Sequence, residues 1–528
     1  MSSPITPDLN PSAQDLTAKV SDAPPRHADV VIVGSGMGGG MLAHALRDSS
    51  LDVLVLERGD YLPSEPENWD AAEVFAQGRY ANAEKWRSSD GAEYKPGQYY
   101  WVGGNTKMYG AALTRFRAED FGDLQHSAGV SPAWPITYDE IEPYYSQAEV
   151  LLGAHGQLGG DPTEPYHSED YPFGPLPHEP EVQRISDTLE KLGVHPFPLP
   201  MGISLQEGGR CATAGTCHGC DGFPCRVLGK SEADVTLLRP ALQTARVSLS
   251  TRTRVIRLYT DGSGRRIRSA LVERDGERYE VTGGVFVLAA GAANTAAILL
   301  RSEDDGKVVA NASGQVGRNY MQHNMAAVMA VGPHARNVVF QKSLAVNDFY
   351  LASDRWEFPM GSLATFGKLT PPILKASRPY MPMTALKLIS PRTSDWWLIS
   401  EDLPDPNNRV TLDNNGGIVV HRQPNNQEAL RRLIKTIKEL LAHAGYPLAF
   451  AQRFGLETTS HHCGTTRMGT EAATSVLRPD GRVHDVDNLY IADSSPFPSS
   501  AANNPSLTIA ALAIRMGGTL RKSLGANG

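Results

Sequence analysis

Gly34, Gly36 and Gly39 follow the apolar run Val30-Val31-Ile32-Val33 and precede a helical stretch from Met41 to Leu46. This strand–turn–helix order constrains the chain more than any other feature. In Gly-x-Gly-x-x-Gly the first glycine makes a tight turn. The second lets backbone approach a pyrophosphate, and the third lets the helix pack on the strand. Free N–H groups at the helix start then face an anion. A second apolar run, Val53 to Leu56, ends at Glu57, eighteen residues after Gly39. An acid near that distance binds a ribose hydroxyl. These residues predict a βαβ unit that holds a dinucleotide, either NAD or FAD.

Two later features favour FAD. Glu57-Arg58-Gly59 opens a long irregular stretch where a simple nicotinamide enzyme would continue with βαβ units. The segment Asn488 to Asp493 also reads as a last strand returning to the first domain.

At 528 residues the chain is long enough for two or more domains. Lys plus Arg is 50 and Asp plus Glu is 58, a net charge of −8, which argues against nucleic acid as a partner. The first 27 residues, rich in Pro, Ser and Ala, read as a loose leader without a basic start and apolar run. The apolar stretch Val285 to Leu300 is broken by Asn294 and Thr295 and is too short for a membrane span. A soluble, cytoplasmic protein is expected, with no membrane partner and no disulfide framework from its five cysteines.

The expected fold class is α/β, α+β overall: a Rossmann-like FAD-binding domain plus a substrate domain with an antiparallel sheet and flanking helices. Residues 28–325 are assigned to the first, with irregular covering segments at about 60–200. Residues 326–455 are assigned to the second, and 456–528 return to the first. Val247 to Leu258 and Ala270 to Val281 read as strands around a turn at Asp261 to Gly264, and Val285 to Ala289 as a further strand. Gln427 to Ala444 is an amphipathic helix, with Asn426 as N-cap and Gly445 as stop.

Near the C-terminus, His461-His462-Cys463-Gly464-Thr465-Thr466 is followed by Asn503-Asn504-Pro505-Ser506-Leu507-Thr508. Gly103-Gly104-Asn105-Thr106, Ala289 to Ala292, Val316 to Asn319 and Asn408-Arg409-Val410 lie between these and the glycine turn. In that order, the motifs resemble the glucose–methanol–choline (GMC) family of flavin oxidoreductases from about residue 28 to 520. The likeness is nearest to bacterial pyranose oxidases and glycoside 3-oxidases.

The resemblance implies His461 as catalytic base and Asn504 as its partner. The chemistry suits them: a neutral imidazole accepts a hydroxyl proton near neutral pH. An amide binds the oxygen without competing for that proton. His462 is kept structural. The implied FAD contacts begin with Gly34, Ser35, Gly36, Met37, Gly38 and Gly39. They continue with Glu57, Arg58, Gly104, Asn105, Thr106 and Met108. Val255, Ala290, Gly291, Asp493, Pro505 and Thr508 complete them. Some fungal relatives attach FAD through a His near the Gly-Gly of 103–104; Met108 takes that place here, so FAD is expected to be non-covalent.

The polar and aromatic stretch from Gln341 to Phe366 suits a sugar, and Gln341, Asp348 and Phe349 are the candidate substrate contacts. The cluster Cys211, Cys217, Cys220 and Cys225, with His218, is read as structural and no metal is expected. The expected activity is oxidation of a secondary ring hydroxyl of a pyranose or glycoside, C3 favoured over C2, with electrons passing to oxygen to give hydrogen peroxide. The alternatives are a sugar dehydrogenase using a quinone or partner subunit, and a flavin-binding protein without turnover.

Overall fold

The computed structural model describes residues 25–526 except 207, 214–219, 305, 337 and 459. Cys217 and His218 lie outside them.

The strands His27–Val33 and Val53–Leu56 form with the helix Met37–Leu46 between them. Val30 to Ile32 and Leu54 to Val55 are wholly buried, as strands covered on both faces require. The first sheet has seven strands. Its order runs Val247–Ser250, Val53–Leu56, His27–Val33, Glu277–Leu288, Ile267–Arg274, Thr253–Thr260. Leu489–Ile491 pairs in parallel with the far half of Glu277–Leu288, so the C-terminal segment does return to this sheet.

Two readings of the strands are corrected. Val247 to Leu258 is not one strand: the chain turns at Arg252, with φ of +54°, and Val247–Ser250 and Thr253–Thr260 lie at opposite edges of the sheet. Ala270 to Val281 is not a single strand: the chain reverses at Asp275 and Gly276, with φ of +51° and +86°. A two-residue Asp-Gly loop with both φ positive suits a hairpin. The strand after it, Glu277–Leu288, continues without a break through the 285–288 run.

The second sheet is antiparallel throughout, in the order Leu448–Arg453, Asn324–Val331, Thr393–Ser400, Ser362–Thr365, Leu344–Val346, Pro196–Pro198. Its last strand comes from the irregular segment before residue 200, and its two prolines sit where a sheet tolerates them, at an edge. The helix Gln427–His443 buries Leu430, Leu433, Ile437, Leu440 and Leu441 against this sheet. Asn426 precedes it but does not cap it. Its φ is +47° and its side-chain amide donates to the Glu401 carbonyl at 3.1 Å. Among the described residues no helix is long and apolar enough to cross a membrane.

The glycine turn is packed as tightly as backbone allows. Gly34 has φ +104°. A Cβ on Gly38 would stand 1.5 Å from the Ala492 carbonyl oxygen, and one on Gly39 would stand 2.0 Å from that of Gly34. A Cβ on Gly36 would meet nothing within 4 Å. Protein packing therefore explains Gly38 and Gly39, whereas Gly36 faces open space. Gly38→Ala is expected to cost about 1–3 kcal/mol or more, read as a lowered melting temperature of the apoprotein. Gly36→Ala should leave that temperature near wild type and weaken dinucleotide binding by roughly tenfold or more. Equal loss of stability in both variants would refute this division of roles.

Candidate active site

A cavity of about 730 Å³ runs between the C-terminal ends of the parallel strands and the inner face of the second sheet. Nucleotides bind at that end of such sheets. The turn from Gly34 to Gly38 lines it, with Glu57, Arg58, Val255, Ala290 and Gly291. Gly104, Asn105, Thr106 and Met108 form the facing wall, and Asp493 and Pro505 close it near the helix Ser506–Ser523. Gly39 supports the turn from behind.

The polar groups here are preorganised. Glu57 accepts from the Ser35 N–H at 3.0 Å, the Ser35 hydroxyl at 2.6 Å and the Gly59 N–H at 2.8 Å. The Ser35 hydroxyl in turn accepts from the Gly103 N–H at 3.0 Å, tying the two glycine turns together. A Cβ on Gly104 would lie 3.2 Å from the Gly36 Cα. The space before Gly36 is thus bounded by two backbones that carry no side chain, which fits a pyrophosphate. Asp493 accepts from the Gly291 N–H at 2.9 Å, the Thr295 hydroxyl at 2.6 Å, the Ser495 N–H at 2.8 Å and the Ser495 hydroxyl. With both oxygens engaged, it clamps the helix start after Gly291 to the last strand.

Thr508 does not line the cavity. It is fully buried and its hydroxyl bonds the Tyr145 hydroxyl at 2.7 Å. Gln341, Asp348 and Phe349 are also not on its wall. The Gln341 amide donates to Asp395 at 3.0 Å, and Asp348 accepts from the His195 ring at 2.7 Å. Phe349 packs in the core of the second domain. Gln341 is a buried polar group that finds its partner inside the fold, whereas Asp348 is half-buried and pairs with an exposed histidine; polarity at these positions does not mark the cavity. Their neighbours Lys342 and Asn347, with Phe366 and Trp397, do line the cavity. Lys342 pairs with Asp221, which also accepts from the Gly367 N–H at 2.8 Å.

His461 and Asn504 stand on the wall of this same cavity. Asn503 sets the second: its side-chain oxygen accepts from the Asn504 N–H at 2.9 Å, and its amide donates to the Arg115 carbonyl at 2.7 Å. His461 precedes the short strand His462–Cys463, which pairs with Met321–Gln322. That register places His323 beside His461, and their Nδ1 atoms are 3.0 Å apart. Burial holds the His461 imidazole well below the ordinary value of 6.5, and His323, His462 and Lys342 push it the same way. His462 lies between the rings of Trp86 and Tyr320, with Gln98 at 3.4 Å from its Nδ1. Sequence reasoning missed His323, Lys342 and Asp221. Nothing local marks them: Lys342 and Asp221 reach the cavity wall, and His323 reaches the back of His461, by long-range pairing.

Cys220 is buried and Cys211 and Cys225 are half-buried, and the described residues include no metal-holding group of His, Cys, Asp or Glu.

The GMC oxidoreductase profiles match residues 96–325 and 404–513, and an NAD(P)-binding Rossmann-like domain profile matches 32–64. The chain is 32% identical to 6'''-hydroxyparomomycin C oxidase of Streptomyces lividus, over 94% of this chain and 92% of that protein. It is 46% identical to C-glycoside 3-oxidase of Arthrobacter globiformis over 56 residues, 10% of this chain and 11% of the other. The crystal structure of pyridoxine 4-oxidase from Mesorbium loti superposes with a TM-score of 0.64 at 19% identity, covering 95% of this chain and 100% of that one. FAD is the cofactor of this family, and the Met108 thioether on the wall is consistent with non-covalent binding. The chain belongs to the GMC oxidoreductase family, whose FAD-dependent enzymes act on CH–OH groups.

Proposed function

We propose that the protein oxidises a secondary ring hydroxyl of a neutral pyranose or glycoside, at C3 in preference to C2, and reduces oxygen to hydrogen peroxide. The observation that carries this reading is the joint presence of His461 and Asn504 on one cavity whose far wall mixes amide, ion pair and aromatic rings. Sugars need that mixture: polar groups for the hydroxyls and rings for the apolar face.

His461 takes the hydroxyl proton as the C–H bond breaks. Its depressed basicity keeps it neutral, and so able to accept, at the start of each turnover. The Asn504 side chain makes no hydrogen bond within the described protein and is available to the substrate oxygen; its backbone is fixed by Asn503. FAD, when bound, supplies the hydride acceptor and passes the electrons on. The imidazolium then left at His461 favours negative charge developing on oxygen.

A second reading follows the full-length relative, whose name points to an oxidised amino sugar bearing a 6'''-hydroxyl. Under it the substrate carries ammonium groups. Lys342 and Lys368 on the cavity wall are already paired, with Asp221 and Asp395, so their charges do not decide between the two; the amide and rings of the far wall favour the neutral sugar.

His461→Ala should fold and keep its yellow colour while flavin reduction slows by roughly 10²–10⁴-fold; near-normal reduction would remove His461 from the role of base. The direction of its basicity has a pH consequence. A base that stays neutral until well below 6.5 gives an acid limb in the reduction rate below 6.5. A limb above that value would contradict the burial argument. NMR of the products from glucose, O- and C-glycosides and paromamine, with peroxide measured alongside, separates the readings. The proposal expects a 3-keto glycoside and stoichiometric peroxide. Aldehyde from the amino sugar alone would favour the second reading, and absent oxygen uptake with active quinone reduction would make the enzyme a dehydrogenase.

A further inference from the structure

His323 is buried and touches both His461 and the loop that carries Asn504. Its Nε2 lies 2.8 Å from the Ser500 carbonyl oxygen. A carbonyl can only accept, so His323 Nε2 carries a hydrogen. In a neutral ring its Nδ1 is then a bare acceptor, 3.0 Å from the His461 Nδ1. The hydrogen of that contact has to come from His461 Nδ1. One neutral imidazole has one N–H, so the lone pair of His461 remains on Nε2, which has no partner within the described protein.

We infer that His323 is a positioning residue that locks His461 in the Nδ1–H tautomer, so that Nε2 is the atom that takes the substrate proton. The inference rests on His461 being the base. A charged His323 would break the device, because both of its nitrogens would donate and the hydrogen of His461 would move to Nε2. The surroundings keep it neutral: burial acts most strongly and Arg422 works the same way, while the Ser500 carbonyl and Glu401 act in the opposite sense. Glu401 is itself occupied, accepting from the Ser131 hydroxyl at 2.7 Å and meeting the His126 ring at 3.0 Å. When His461 becomes imidazolium its Nδ1–H still donates to the same acceptor, so the contact persists through the proton transfer.

Two variants divide the contact. His323→Leu removes the acceptor. His323→Asn retains one, since the side-chain oxygen of Asn reaches where the Nδ1 stood, but loses the bond to Ser500. The experiment uses the FAD-loaded full chain. Flavin content and melting temperature are checked first, then flavin reduction by glucose under nitrogen, then the nitrogen NMR shifts of labelled histidine. H323L should lose on the order of 10²–10⁴-fold in flavin reduction, as a base in the wrong tautomer does. H323N should lose less than about tenfold, the worth of one ordinary hydrogen bond. In wild type and H323N the His461 resonances, assigned by their loss in H461A, should show a protonated Nδ1 and a bare Nε2. In H323L the hydrogen should move to Nε2. If His461 carries its hydrogen on Nε2 in the wild type, or if H323L reduces flavin normally while H461A does not, the inference is wrong. If H461A itself reduces flavin normally, the assignment of the base has failed. Should H323L not fold, the wild-type and H323N spectra still decide the tautomer.

Discussion

The structure depends on one close contact between backbones. The first helix comes so near the Ala492 carbonyl that only glycine fits at position 38. That contact brings an N-terminal turn against a segment more than 450 residues away, directly before Asp493. Asp493 then holds the Gly291 helix start, and the chain beyond it carries Ser500 and Asn504. Nucleotide turn, last strand and reacting end of the cavity are therefore fixed relative to one another by steric necessity. The adjoining space before Gly36 is left open for the anion.

A second fixed element is the two-residue pairing of Met321–Gln322 with His462–Cys463. It is short, yet it sets which side chain faces His461. The neighbours add burial and rings: His462 is held between Trp86 and Tyr320, and Cys463 is enclosed in the main core. If His461 is the base, as proposed, its place directly before so constrained a strand costs little reorganisation when substrate arrives.

Much of this was legible in the sequence where the signal was local. The glycine turn, the amphipathic helix after Asn426 and the order of the family motifs are each written in a few adjacent residues, and His461 and Asn504 come with the motifs. Where the outcome depends on distant partners, the reading ran out. Gln341, Asp348 and Phe349 looked like a sugar site by composition, but Asp395, His195 and the domain core claim them. Lys342 and Asn347, one residue away from two of them, face the cavity instead. Thr508 fell to Tyr145 in the same way. His323 was invisible because strand register is not encoded next to it. Asp275-Gly276 differs in kind: its turn signal is local, but it lies inside a run of strand formers that masks it.

The claim on which the account turns is that a sugar C3–H bond breaks in this cavity while His461 receives the hydroxyl proton. Methyl glucoside deuterated at C3, at C2 or at C6, mixed anaerobically with the FAD-loaded protein, tests it through the rate of flavin bleaching. The account predicts that the C3 label slows bleaching and that the C2 and C6 labels do not. Slowing confined to C6 would mean that an exocyclic hydroxyl is oxidised, and no bleaching by any of the three would contradict the sugar assignment itself.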